Sequence, residues 1–165
     1  IEDYYKRVGF DFDKIPFSML AHEYMEDYQE KSYACDLHSD VLDVVNKAKN
    51  LGFSQTVLSA SKMDYLLKQM ETLHVDDLFD SIYGINDIYA KSKVELAHAF
   101  KQTCSLDDEI YFVGDSVHDY EVAKSIGAKC ILVTTGHQNR ATLESVNVPV
   151  MDSLMESLDL IYERD

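Results

Sequence analysis

The stretch Ile110-Tyr-Phe-Val-Gly-Asp115-Ser-Val-His-Asp119 constrains the fold more than any other part of the chain. An apolar run stops at Gly114, and two carboxylates follow, at Asp115 and Asp119. Tyr120 to Gly127 then has the spacing of a short amphipathic helix closed by glycine. The pattern predicts a buried strand, a tight turn and a helix. A carboxylate at the end of a buried strand is costly unless something charged meets it. Two of them suggest a hard cation, and Mg²⁺ prefers oxygen ligands. The plainer alternative is a solvated turn with helix-capping aspartates. That accounts for Asp119 better than for Asp115.

Helix and strand signals alternate through most of the remaining sequence. Val41 to Leu51 forms a helical stripe ending at Gly52, with Ser39 as its expected N-cap. Gln55 to Ala60 reads as a strand, and Ser61-Lys-Met-Asp64 resembles a capping box at the head of the next helix. Further segments follow at Phe79–Ile85, Val94–Phe100, Cys130–Val133, Arg140–Val146, Val148–Met151 and Leu154–Ile161. Regular βα alternation implies a doubly wound parallel sheet covered by helices on both faces, an α/β fold. Residues 1–37 differ. Phe17, Leu20, Ala21, Tyr24, Met25 and Tyr28 give one apolar helical face, with Gly9 and Pro16 as punctuation. The expected organisation is a partial helical cap at 1–37 and an α/β core at 38–165.

With 165 residues the chain is long enough for one domain with a real core, and 46% hydrophobic residues argue against disorder. A net charge of −15 argues against nucleic acid and against an anionic membrane surface as partners. An acidic protein that binds an anionic substrate needs a local positive group or a metal. Cys35, Cys104 and Cys130 are far apart, odd in number and without CxxC spacing, which fits a reducing cytoplasm. No signal-peptide pattern opens the sequence, and no run is long enough to span a membrane. Oligomeric state is not legible.

In such sheets, sites collect at the carboxyl ends of the strands. Three strand ends here carry polar groups: Ser59 with its neighbour Ala60, Asp115 with Asp119, and Thr134-Thr-Gly-His137. A hydroxyl and adjacent backbone N–H groups can hold phosphate oxygens. The cation for a phosphate would come from Lys91 or Lys93, just ahead of the helix at Val94. His118, His137, Gln138 and Arg140 are further candidates for the crevice. Taken singly, each has an ordinary surface or capping explanation.

Together these residues resemble the haloacid dehalogenase superfamily, in its phosphoglycolate-phosphatase-like branch. Ser59 matches the Ser/Thr that ends the second core strand, and Lys93 (alternatively Lys91) the family lysine. Gly114-Asp115-Ser116-Val117-His118-Asp119 matches the acidic GDSxxD motif. The likeness covers roughly residues 38–152. It implies a Mg²⁺-dependent phosphomonoester hydrolase of a small phosphorylated metabolite that works through an aspartyl-phosphate. Asp115 would ligate Mg²⁺, and Asp119 would ligate it or orient a metal-bound water. Ser59, Ala60 and His137 would contact substrate, and Lys93 would neutralise the transferring group. Dehalogenation fits less well, because it does not need the acidic metal motif.

The family's first motif, an apolar strand followed by DxDGT, is not matched. Asp11-Phe12-Asp13 is followed by Lys14-Ile15, and the segment before it is too polar for a central strand. The expectation is that the nucleophile strand lies upstream of Ile1 and belongs in the centre of the sheet. The alternative, from a different functional class, is a non-catalytic binding or regulatory module on the same fold.

Overall fold

The computed structural model describes residues 2–85 and 92–163. The chain divides into two compact units, Ile1–Asp36 and Leu37–Asp165.

The first unit is helical, with α1 (Glu2–Arg7) and α2 (Phe17–Ser32). Between them Gly9 adopts φ +97°, a left-handed conformation that favours glycine. Edge-on aromatic contacts follow: Tyr5 lies 5.2 Å from Phe10, and Phe12 lies 5.6 Å from Phe17, centroid to centroid. Asp11-Phe12-Asp13 is a turn and not a strand. The Asp11 carbonyl accepts from Lys14 N and Ile15 N, and its carboxylate pairs with Lys14 at 2.9 Å on the surface. Tyr24 and Tyr28 stack on each other along α2, both exposed.

The second unit alternates α3 (Val41–Asn50), β1 (Thr56–Lys62), α4 (Met63–Thr72), β2 (Ser81–Ile85), α5 (Lys93–Thr103), β3 (Tyr111–Gly114), α6 (Val117–Ser125), β4 (Lys129–Val133), α7 (Arg140–Glu144), β5 (Val150–Met151) and α8 (Leu154–Tyr162). A single 3₁₀ turn at Asp76–Leu78 precedes β2. Every ladder is parallel, as the βα alternation predicts. Cys130 to Val133 are all buried, because α6 and α8 both pack on β4. That explains the unbroken apolar run there: a strand covered on both faces loses its alternation. Ala123, Cys130, Leu132 and Leu143 form one core cluster, and Leu66, Met70 and Val75 another.

Two local expectations fail. Ser39 does not cap α3. The N-cap is Asp40, whose carboxylate instead accepts from Leu154 N (3.0 Å) and Met155 N (3.3 Å) at the start of α8. The Ser61–Asp64 capping box does not form either. β1 continues through Lys62, and α4 begins at Met63 without a side-chain cap. In both cases a distant partner or an extended backbone overrides a local capping pattern.

The parallel strands form two sheets. One has the order β1-β2 and the other β3-β4-β5. Among the described residues no strand pairs with the outer edge of β1 or of β3. These edges border one groove of about 560 Å³, lined by Thr56 and Leu58 of β1 and by Tyr111, Phe112 and Val113 of β3. Leu58 and Phe112 also pack on the same cluster of Ala97, Val122 and Ile126. The groove gathers residues that precede or open three strands: Ser54 before β1, Asp80 before β2, and Asp108 and Glu109 before β3. The amino ends of β1, β2 and β3 therefore share one end of the groove, and the two sheets run in the same direction.

Candidate active site

The strand-turn-helix at Ile110–Gly127 folds as its sequence predicts, and the reason is local. Ser116 is the N-cap of α6 and accepts from Asp119 N, while Asp119 reaches back to the backbone N–H of Ser116, a complete capping box. Asp119 Oδ2 accepts from Asp115 N (3.0 Å), Ser116 N (3.0 Å) and Ser116 Oγ (2.7 Å). Its carboxylate folds back over the glycine before it. A Cβ on Gly114 would stand 2.3 Å from Asp119 Cβ, so only glycine fits there.

Asp119 is more than a cap. Its other oxygen, Oδ1, meets Lys93 Nζ at 2.5 Å, with only 3% of the Asp119 side chain and 18% of the Lys93 side chain exposed. Burial pushes the Asp119 carboxyl up. Hydrogen bonds from Lys93 and Ser116, with the Lys93 charge, outweigh burial and hold it below the ordinary aspartate value. Lys93 is also the first residue of α5, where a cation opposes the helix dipole. The buried carboxylate and the face of Phe112, 5.6 Å from Nζ, offset that opposition. Lys91 and Ala90 lie outside the described residues.

Asp115 sits one residue past β3, with 39% of its side chain exposed. Its Oδ2 accepts from His137 N at 3.0 Å, and His137 Nδ1 lies 3.3 Å away. Gly136 makes that approach feasible: a Cβ there would fall 1.9 Å from Asp115 Oδ2. The next residue adds a second tie, as Gln138 Oε1 accepts from Val117 N at the head of α6 (2.8 Å). The loop after β4 is thus clamped onto the acidic turn through His137 and Gln138, with Gly136 leaving room for the approach. The Gly-containing turn after β4 is visible in sequence, but its contact with Asp115 is not.

Ser59 is half-buried within β1, and its Oγ accepts from Ser61 N at 3.1 Å; Ala60 beside it is exposed. His118 pairs with Glu121 along α6 at 3.2 Å. Arg140 is committed elsewhere, donating to Asp152 (2.5 Å), Glu144 and the Val150 carbonyl, which braces α7 on β5. Thr134 Oγ1 joins that brace through Asp152 (3.0 Å).

Both Asp119 oxygens are taken up by protein donors, whereas Asp115 Oδ1 has no partner among the described residues. Oxygen chemistry at a strand end suits a hard cation. No cluster of three or more His, Cys, Asp or Glu side chains that could hold a metal occurs among the described residues. The fit is therefore to Asp115 as ligand, with remaining positions left to water, phosphate or a carboxylate from outside these residues.

The parallel α/β unit thus carries a GDSxxD turn at one strand end, ion-paired to a lysine at the head of the preceding helix. The chain belongs to the haloacid dehalogenase-like hydrolase family, whose sequence profile matches residues 1–133. No curated protein matches the sequence. Its fold is similar to a haloacid dehalogenase-like hydrolase from Streptococcus pneumoniae (20% identity, TM-score 0.82, 94% of this chain and 73% of that one). It is also similar to a predicted phosphoglycolate phosphatase from Haemophilus somnus (18%, TM-score 0.67, 82% and 63%). A third similar structure is protein tyrosine kinase A of Mycobacterium tuberculosis (20%, TM-score 0.73, 93% and 74%). At these identities the likeness is one of fold. No described helix is long and apolar enough to cross a membrane.

Proposed function

We propose that this chain carries most of the active site of a Mg²⁺-dependent phosphomonoester hydrolase acting on a small phosphorylated metabolite. The observation that carries the reading is the buried Lys93–Asp119 pair standing directly behind Asp115 at the carboxyl end of β3. A lysine held by a buried aspartate is a fixed positive charge, suited to an anionic group at a strand end. Bound Mg²⁺ would supply further charge neutralisation there, with Asp115 as its ligand. Asp119 acts one step back, fixing Lys93 and the turn. Ser59 Oγ and the Ala60 N–H offer hydrogen bonds to phosphoryl oxygens, and His137 borders the same turn.

The nucleophile comes from outside the described residues, since Asp11 lies in an exposed turn. In the proposed reaction, a carboxylate oxygen attacks phosphorus and the ester P–O bond breaks. The leaving alcohol takes a proton from a second carboxylic acid. Water then attacks the aspartyl-phosphate, the second carboxylate takes its proton, and inorganic phosphate leaves.

The experiment is p-nitrophenyl phosphate turnover, with and without Mg²⁺, by the 165-residue chain and by any longer natural form, each beside Asp115→Asn. Mg²⁺-dependent turnover lost in the variant is expected; turnover unchanged in Asp115→Asn removes the site assignment. The second reading, a non-catalytic module, is favoured by one observation: among the described residues no strand carries a DxD motif. A natural start near Ile1 together with no turnover would select it.

A further inference from the structure

We propose that Asp152, which belongs to no motif of the site, is a positioning residue for Asp115. It fastens both ends of the loop 134–140, and the middle of that loop holds the Asp115 carboxylate. The inference rests on the hydrolase reading only for the cation that Asp115 would bind; the placing of the carboxylate stands without it.

Strand register brings the parts together. Leu132 pairs with Val150 and Val133 with Met151, so the next residue on each strand, Thr134 and Asp152, leave the β4–β5 ladder side by side. Thr134 N donates to the Met151 carbonyl at 3.0 Å, and the Thr134 hydroxyl donates to Asp152 Oδ1, also at 3.0 Å. At the far end of the loop Arg140 opens α7 and donates to the same oxygen at 2.5 Å, and to the Val150 carbonyl at 3.3 Å. One carboxylate oxygen therefore closes the loop at both ends. Asp152 is itself fixed. Its N–H donates to Glu156 Oε2 in the first turn of α8 (2.9 Å), and Asp40 holds the N–H groups of Leu154 and Met155 just beyond. Hydrogen bonds from Arg140 and Thr134 keep the Asp152 carboxyl below the ordinary aspartate value, so the anchor is charged at neutral pH.

Burial does little for the loop between those ends, since Thr135, Gly136 and His137 are exposed. Its shape depends on where it is tied. In the middle, His137 N donates to Asp115 Oδ2, and Gln138 Oε1 accepts from Val117 N. A loop fastened at Thr134 and Arg140 returns those two groups to one place. A loop freed at its ends spends time in other conformations, and cation affinity falls with the fraction that remains clamped. The His137 N–H also decides which Asp115 oxygen is engaged, Oδ2, and so leaves Oδ1 for the cation. The Asp152 side chain is 70% exposed, and exposed ion pairs contribute little to global stability. The effect of Asp152 therefore falls on the loop and on Asp115, with little on the unfolding midpoint.

The test uses the 165-residue chain and four variants. Both bonds end on Oδ1, so Asp152→Asn can keep them with its carbonyl oxygen, whereas Asp152→Ala removes them. Thr134→Val frees one end of the loop. Glu144→Gln alters the other carboxylate that pairs with Arg140 and is the control. Amide exchange at His137, followed by NMR without any cation, should be about tenfold faster in Asp152→Ala and faster by less in Thr134→Val. Asp152→Asn and Glu144→Gln should stay within about threefold of the parent. Mg²⁺ affinity, read by titration calorimetry, should fall about fivefold in Asp152→Ala, as it does when the clamped loop drops to about one-fifth of the population. Urea midpoints should stay close together; a merely structural role would lower them and leave exchange and affinity unchanged. Unchanged His137 exchange in Asp152→Ala overturns the proposal. So does a loss in Asp152→Asn equal to that in Asp152→Ala, because the shared oxygen is then not what holds the loop. So does faster exchange with unchanged Mg²⁺ affinity, because the loop then does not place Asp115. Should Asp152→Ala fail to fold, Thr134→Val, which leaves Arg140 bonded, decides by the same two readouts. A parent chain that binds no Mg²⁺ but shows the His137 effect removes the cation reading and leaves the positioning of Asp115 standing.

Discussion

At the scale of single residues, the site is built by carboxylates that close neighbours hold in place. Asp119 is the clearest case, because it is buried and, among the described residues, its only side-chain cation is Lys93. Lys93→Met leaves that charge without its partner, a change that costs about 3 kcal/mol when a buried pair is broken on one side. Adding Asp119→Asn removes the stranded charge, so the double variant should recover most of the loss. Urea midpoints of the two single variants and the double variant check this; additive losses would mean that the pair does not act as a unit. Gly136 makes a different prediction. Gly136→Ala drives a methyl into the Asp115 carboxylate, but Asp115 is partly exposed and can swing outward. Stability should fall by less than about 2 kcal/mol. Mg²⁺ affinity, read by titration calorimetry, should fall more than tenfold. Unchanged affinity would show that the position of Asp115 set by this loop is irrelevant to the cation.

At the scale of elements, helices and buried strands were legible because their periodicity and their burial have the same cause. α3 ends at Asn50 and the chain turns away at Gly52 with φ +88°, and β4 is an apolar run because it is covered on both faces. What stayed illegible depends on partners far away in sequence. Asp40 looks like an ordinary turn residue until α8 arrives to use its carboxylate. The Lys93–Asp119 bond spans 26 residues, and nothing in either segment announces it. The capping box proposed at Ser61 failed because strand pairing held Lys62 opposite Ile85. β4 also carries a titration prediction. Burial, with a smaller contribution from the Asp119 charge, pushes the Cys130 thiol from an ordinary 9.0 up to about 12. The folded chain keeps this proton where the unfolded chain has lost it. The contribution of this thiol to stability is therefore whole below about pH 9 and declines as pH rises toward 12. A thiol reagent at pH 8 should label exposed Cys35 at once and Cys130 only after denaturant is added. Rapid labelling of Cys130 in the native chain would contradict the burial of β4.

At the scale of the whole molecule, the two units differ in what can hold them together. Leu37–Asp165 contains every buried side chain among the described residues, including Leu132 and Leu143 with no exposure at all. Ile1–Asp36 has none: its described side chains are half-buried or exposed, and its two helices have six and 16 residues. Isolated helices of that length are marginal in water, since nucleation is costly and most helical stability comes from packing. Separately produced pieces should therefore behave unequally. Residues 37–165 should unfold in urea as one cooperative transition, because their own clusters supply the burial. The split sheet should lower the midpoint of that transition without abolishing it, since β1-β2 and β3-β4-β5 are both anchored on the helices α5 and α6 through Leu58, Ala97, Phe112 and Val122. Residues 1–36 should show weak helical circular dichroism and no cooperative melt, their aromatic contacts notwithstanding. A sharp melt in the short piece would mean that the Tyr5, Phe10, Phe12 and Phe17 cluster is a core in its own right. A non-cooperative 37–165 would mean that the two half-sheets need a strand in the groove before they fold as one body.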